Sequence, residues 1–203
     1  MGREREKIVV TGMGAVTPIG CGVEDYWNNL INGVCGIDRI TRFDADGLAV
    51  KIAAEVNDFD IEAYMPKKVI HETDAFTQYA YVAAKEALGD SLPAAPERTG
   101  IVMGTAMAGV ATTAATQEIL TNAVHKNVGP RFVPRILGNI AAAQIAISYG
   151  ICGPSSTLST ACASGCDAVS MAAMLLLADE ADAVLAVGSE SILCPLVIYS
   201  LAN

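Results

Sequence analysis

The sequence predicts a layered α/β domain with a mixed, mostly parallel sheet flanked by helices. Three observations point to it. Short apolar runs such as Gly100 to Gly104 and Ala183 to Gly188 alternate with longer stretches of helical periodicity. Of 203 residues, 52% are hydrophobic and only 17% charged, so the chain can bury a sizeable core. No linker, repeat or low-complexity stretch divides it.

The elements follow in order. Ile8 to Thr11 reads as a short apolar strand ending in Thr11-Gly12-Met13-Gly14. Val23 to Asn32 carries Tyr26, Trp27, Leu30 and Ile31 at helical spacing. Ala49 to Val56 alternates like a strand. Thr73 or Asp74 caps a helix that runs to Leu88, and Gly89 stops it. Gly100 to Gly104 is a buried strand followed by a Gly-rich turn to Gly109. Thr112 to Val124 and Pro134 to Tyr149 read as helices. The second has no charge after Arg135 and is expected to be buried on most sides. Ser155 to Ser159 is a strand, Cys162 to Ala178 a nearly uncharged helix, and Ala183 to Gly188 a buried strand with Glu190 behind it. A helix that apolar belongs between two layers.

Bulk properties exclude several function classes. Net charge is −9, and no basic stripe exists to hold nucleic acid. The longest apolar run, near Ala168 to Ala178, is too short to cross a bilayer. Met1 to Lys7 lacks the apolar core of a secretion signal, so a cytoplasmic location is expected. The six cysteines (Cys21, Cys35, Cys152, Cys162, Cys166 and Cys194) show no disulfide framework. Neither His71 nor His125 lies near Cys162 and Cys166 in sequence, so no metal site is expected.

Two motifs invite chemistry. Gly12-Met13-Gly14 follows a strand, but Thr17 stands where a dinucleotide fingerprint needs its third glycine, and Pro18 follows. These glycines are read as permitting a tight turn. The stretch Gly153 to Gly165 is more specific. A strand ends, small residues crowd the turn, and a helix begins at Cys162. A helix N-terminus offers unpaired N–H groups and partial positive charge, and both favour a thiolate. The Cys162 N–H is a candidate oxyanion donor. Ala161, Ala163 and Gly165 would let a thioester approach the backbone. The other five cysteines are read as small packed hydrophobes.

The Cys162 motif, the segment Val9 to Gly20, Asp74-Ala75-Phe76-Thr77-Gln78-Tyr79 and Gly188-Ser189-Glu190 occur in one order. Together they resemble the β-ketoacyl-acyl-carrier-protein synthases of the thiolase superfamily, of the type II elongating kind. The resemblance runs from Lys7 to Leu201.

That resemblance implies a duplicated α/β unit of which residues 1–203 are the N-terminal, thiolase-like half, with the cysteine-bearing helix buried between layers of the whole protein. It implies an acyl-Cys162 intermediate, loaded from acyl carrier protein and attacked by the carbanion of decarboxylated malonyl-carrier protein. No cofactor is implied. Family members are about twice as long, and their catalytic histidines, supporting lysine and second oxyanion donor lie in the second half. The chain by itself is therefore expected not to condense. It is expected to cover its apolar faces in a contact, as a homodimer or with a related ketosynthase-like subunit. Met107, Phe132 and Ala161 match the acyl pocket, with ordinary core packing as the alternative for Met107 and Phe132. Lys67, Lys68 and Arg131 match a carrier-protein contact, with a solvated charged face as the alternative. His71 and Glu72 replace two family basic residues there. Neither histidine matches a family motif, and both are read as surface or structural. A noncatalytic dimerisation partner of chain-length-factor type, or a thiolase acting on acyl-coenzyme A, remains as a competing assignment.

Overall fold

The structure, a computed structural model, describes residues 7–57, 59–89, 93–122 and 128–202. Val16–Thr17 (β1) and Gly20–Cys21 (β2) form an antiparallel hairpin that leads into Val23–Ile31 (α1). Ile37–Arg39 (β3) pairs antiparallel with Ile52–Ala54 (β4). Lys67–Glu72 (α2) and Ala75–Leu88 (α3) lead to the strand Thr99–Gly104 (β5). Val110–Asn122 (α4), Phe132–Ile136 (α5) and Ile140–Tyr149 (α6) precede Ser155–Leu158 (β6). A 3₁₀ turn, Ala161–Ala163, opens into Ser164–Leu177 (α7), followed by Ala183–Gly188 (β7) and Pro195–Leu201 (α8).

The centre is a parallel sheet of order β6-β5-β7, with Ile101 of β5 opposite Ser155 on one side and Leu185 on the other. Every residue of β5 is buried, and its side chains alternate between two faces as the pleat requires. Ile101 and Met103 join Phe76, Ala80, Ala141 and Ile145 under α3 and α6. Val102 instead meets Ala168 and Ala172 of α7. A middle strand covered on both faces reads as a continuous apolar run.

Local chemistry sets the ends of the elements. Asp74, not Thr73, caps α3: its Oδ1 accepts from the Phe76 N–H at 3.2 Å. Its Oδ2 accepts from the Thr112 hydroxyl and so ties α3 to α4. Thr73 turns back to the Val69 carbonyl, and Gly89 ends α3 at φ 65°. Gly22 gives α1 no capping side chain. Glu86 of α3 fills that role across space, accepting from the Val23 N–H at 2.7 Å and the Ala15 N–H at 2.9 Å.

Several elements differ from the sequence expectation. Ile8 to Thr11 is irregular and exposed, with Val10 79% exposed. Strand identity requires a ladder partner, and a run of β-formers does not provide one. Gly12 and Gly14 do not serve a turn. An added Cβ would lie 2.0 Å from the Ala87 carbonyl oxygen and 1.8 Å from that of Ala83, so both let the segment cross the α3 backbone. The strand expected over Ala49 to Val56 shrinks to the three residues that pair with β3. The helix expected from Pro134 to Tyr149 breaks at Leu137, whose ψ is 132°, and continues as α6. Nor is α6 covered on most sides, since Ile147 is 76% exposed. The expected helix end at Val124 lies outside the described residues.

Glu55 is buried beside the β3–β4 ribbon. Burial works to raise its pKa, but the Thr41 hydroxyl and N–H, the Arg42 N–H and the Arg42 charge outweigh it and hold the carboxyl below its ordinary value. A lowered folded value gives stability that is complete above the unfolded pKa and lost as pH falls through the folded one. Glu55→Gln is expected to cost about 1–2 kcal/mol at neutral pH. That penalty should fade in acid below the ordinary value of 4.5. Urea unfolding of both proteins at the two pH values checks this.

Candidate active site

β6 delivers the chain to the C-terminal edge of the parallel sheet, where open α/β sheets bind ligands. There the backbone reverses sharply. Ala161 has φ 53°, a left-handed conformation that costs a residue with a Cβ about 1–2 kcal/mol. Side chains on both sides brace it. The Ser164 hydroxyl lies 2.7 Å from the Ala161 carbonyl, its acceptor. Its oxygen in turn accepts from the Thr160 N–H at 2.9 Å. The Thr160 hydroxyl donates to Asp167 Oδ2 at 2.5 Å. The Ser159 hydroxyl donates to the Ala106 carbonyl at 3.2 Å. Cys162 sits in the middle of this turn and is solvent-exposed. It lies just ahead of α7 and does not begin it as expected, because Ala161 bends the chain and the α-helix starts only at Ser164. Cys162 thus precedes by two residues the N-terminal, positive end of a 14-residue helix.

A close helix–sheet approach positions the turn. A Cβ on Gly104 would lie 2.1 Å from the Ser164 carbonyl oxygen, so the last residue of β5 must be glycine. The Gly165 Cα stands 3.2 Å from a Cβ built on Gly188 of β7. A Cβ on Gly165 itself would meet the Gly188 Cα at 3.8 Å, an ordinary contact, so the tight demand for glycine at this crossing falls on Gly104 and Gly188. The opposite face of α7 is uncovered: Val169, Met174 and Leu177 are each at least 60% exposed.

Met107 is carried on the turn after β5 and is 48% exposed. Glu190 grips that turn. Its Oε2 accepts from the Ala106 N–H at 2.6 Å, the Met107 N–H at 2.9 Å and the Thr105 hydroxyl at 3.3 Å. Its Oε1 is buried without a partner. The Ser159–Ala106 bond brings this turn, and Met107 with it, beside Ala161 and Cys162. Phe132 is half-buried at the start of α5 and shares neither a hydrogen bond nor a core cluster with the Cys162 turn.

Lys67 and Lys68 open α2, and both are exposed. Arg131 pairs with Glu72 at the far end of the same helix. These charges are partly neutralised, since Lys67 also pairs with Glu62 at 3.0 Å. His71 lies within α2 and is exposed. It borders a cleft of about 380 Å³ with Asp74, Thr112 and Arg135. His125 lies outside the described residues. Of the cysteines read as packed hydrophobes, Cys194 is buried and Cys21 half-buried, but Cys35, Cys152 and Cys166 are exposed. Spacing alone carries no information on which face a lone cysteine takes.

The family model for the beta-ketoacyl synthase N-terminal domain matches residues 5–203. The chain belongs to this family. Among curated relatives, the 3-oxoacyl-[acyl-carrier-protein] synthase 2 of Staphylococcus aureus (strain COL) is 36% identical over 93% of this chain and 46% of its own length. The enzyme of the same name from Coxiella burnetii (strain RSA 493 / Nine Mile phase I) is 34% identical over 98% of this chain and 49% of its own. The chain thus spans about half the length of the curated relatives it matches. Among solved structures, the ishigamide ketosynthase/chain length factor aligns with a TM-score of 0.85 at 27% identity, over 96% of this chain and 49% of that one. A ketosynthase bound to the hexaketide, in complex with its type II PKS acyl-carrier protein, aligns at 0.78 and 26%, over 95% of this chain and 52% of that one. The fold of this family's members is thiolase-like, as the motifs led us to expect.

Sequence reasoning singled out Cys162 but missed what holds its turn. Glu190 was visible only as part of a motif, and its three donors lie 83 to 85 residues away in the chain. The Gly104 contact makes a direct test. Gly104→Ala is expected to cost about 3 kcal/mol or more, the scale of an unrelieved backbone clash. It should also slow alkylation of Cys162 while leaving that of Cys35 unchanged. Chemical unfolding and peptide mass spectrometry read the two effects.

Proposed function

We propose that this chain supplies the nucleophile half of a β-ketoacyl-acyl-carrier-protein synthase, residues 1–203 forming its N-terminal domain. The observation that carries this reading is an exposed cysteine in a braced, left-handed turn at the N-terminus of α7, within a matching family domain. Cys162 sulfur attacks the carbonyl of an acyl thioester. The oxyanion forms where the Cys162 N–H and the helix end present positive charge, and the carrier's thiol leaves with a proton. Met107, Ala161 and Phe132 line the path of the acyl chain. Lys67, Lys68 and Arg131 face the acidic carrier protein and steer its approach.

Condensation then requires decarboxylation of malonyl-carrier protein and attack of its carbanion on the acyl-Cys162 thioester. Neither described turn contains a general acid or base suited to that step. The chain alone is therefore expected to accept an acyl group without extending it. The uncovered face of α7 and the ketosynthase/chain length factor neighbour support a second ketosynthase-like surface, or a second copy, packed against this domain. A noncatalytic partner role is disfavoured by the nucleophile turn itself. Among the described residues no helix is long and apolar enough to cross a membrane.

Incubation with octanoyl-carrier protein is expected to add one octanoyl mass to the peptide bearing Cys162, and Cys162→Ala should abolish it. The triple variant Lys67→Glu, Lys68→Glu, Arg131→Glu should slow loading from the carrier by about tenfold. It should leave loading from a small octanoyl thioester unchanged. Acylation of Cys35 as fast as of Cys162 would refute the proposal.

A further inference from the structure

We propose that Glu190 is the positioning residue for the nucleophile: its carboxylate fixes the Thr105–Ala106–Met107 turn, and that turn holds the Cys162 loop and Met107 in register. The role rests on the acyl-transfer reading above for its chemistry, and on geometry for its existence.

The links form one chain. Glu190 follows β7, and its base is fixed. The Ser189 N–H donates to the Gly104 carbonyl at 3.1 Å, and the Ser189 hydroxyl donates to the Phe76 carbonyl at 2.7 Å. From this anchor one carboxylate oxygen gathers the two N–H groups and the hydroxyl of the turn after β5. Hydrogen bonds to an ionised acceptor are about twice as strong as neutral ones. The gripped turn then reaches the nucleophile loop. The Thr105 N–H donates to the Leu158 carbonyl at 3.1 Å, and the Ser159 hydroxyl donates to the Ala106 carbonyl at 3.2 Å.

Strain gives the clamp its purpose. Ala108, one residue past the gripped turn, has φ 47°, and Ala161, one residue before the nucleophile, has φ 53°. Non-glycine residues persist in this region only where their surroundings over-determine them. Glu190 over-determines the first turn directly, and the Ser159–Ala106 bond joins it to the second. Removing the carboxylate frees two backbone N–H groups and relaxes Ala108, and the Cys162 loop loses the brace that reaches it through Ala106 and Ser159, keeping only those of Ser164 and Thr160. Met107 would lose its backbone anchor in the same event.

Hydrogen exchange and cysteine labelling on Glu190→Ala, Glu190→Gln and the parent chain test this. In the alanine variant, amide exchange should rise about tenfold in residues 103–109 and 158–164 but stay unchanged in α3, as expected for loss of a local brace. The ratio of Cys162 to Cys35 alkylation by iodoacetamide should fall about fivefold or more with it. Glutamine keeps an oxygen for both N–H groups and should restore both readings to within about threefold. A change confined to residues 189–191, a rise that includes α3, or a glutamine variant no better than alanine would overturn the role. Should Glu190→Ala not fold, Ser159→Ala cuts only the second link. Exchange should then rise in 158–164 and not in 103–109, and no rise in 158–164 refutes the proposal. A parent chain whose Cys162 labels no faster than Cys35 would count against the acyltransferase reading alone, because the exchange comparison still decides the clamp.

Discussion

The approach of α7 to the end of β5 is the contact on which the site depends. Gly104 leaves no room for a side chain beneath the Ser164 carbonyl, and Gly165 meets Gly188 beside it. These three glycines bring the first turn of the helix down onto the C-terminal edge of the sheet. Small residues at such a crossing set distance, and distance sets where the preceding turn must lie. Ala161 to Ala163 are consequently squeezed between the end of β6 and a helix that cannot retreat.

That squeeze explains the left-handed Ala161 and the number of side chains devoted to it. Ser164 and Thr160 close the turn from the helix side, and Asp167 orders Thr160. Ser159 ties it to the neighbouring turn, which Glu190 holds from β7. The exposed thiol is thus mounted on a frame of hydrogen bonds drawn from α7, β6 and the turn after β5. One face of that frame is packed against the sheet, and the other, at Val169, Met174 and Leu177, is open apolar surface.

Much of this frame was legible in the sequence. The apolar run of β5 announced itself, because a strand covered on both faces has no polar alternation. Ala183 to Gly188 also reads as a buried strand, but β7 is an edge strand in which only Val187 is buried. The cap at Asp74 and the stop at Gly89 follow from side-chain chemistry within a few residues, so local reading suffices. Ile8 to Thr11 failed for the opposite reason: a strand is defined by its partner. The break after Ile136 also escaped notice, since Leu137 takes an extended conformation that its own propensity does not demand. Cys162 was placed two residues too far into the helix because nothing about an alanine signals positive φ. The Glu190 clamp depends on contacts across 83 residues or more, which no local pattern encodes.

On the proposed reading, position and not mere exposure makes Cys162 the reactive thiol. Cys35 and Cys152 are exposed as well and lie on neither the turn nor α7, so they serve as internal references. Iodoacetamide labelling at pH 7, followed residue by residue by mass spectrometry, compares them in one sample. A nucleophile held at the helix end should label at least about ten times faster than either reference. Equal rates at the three cysteines would contradict it.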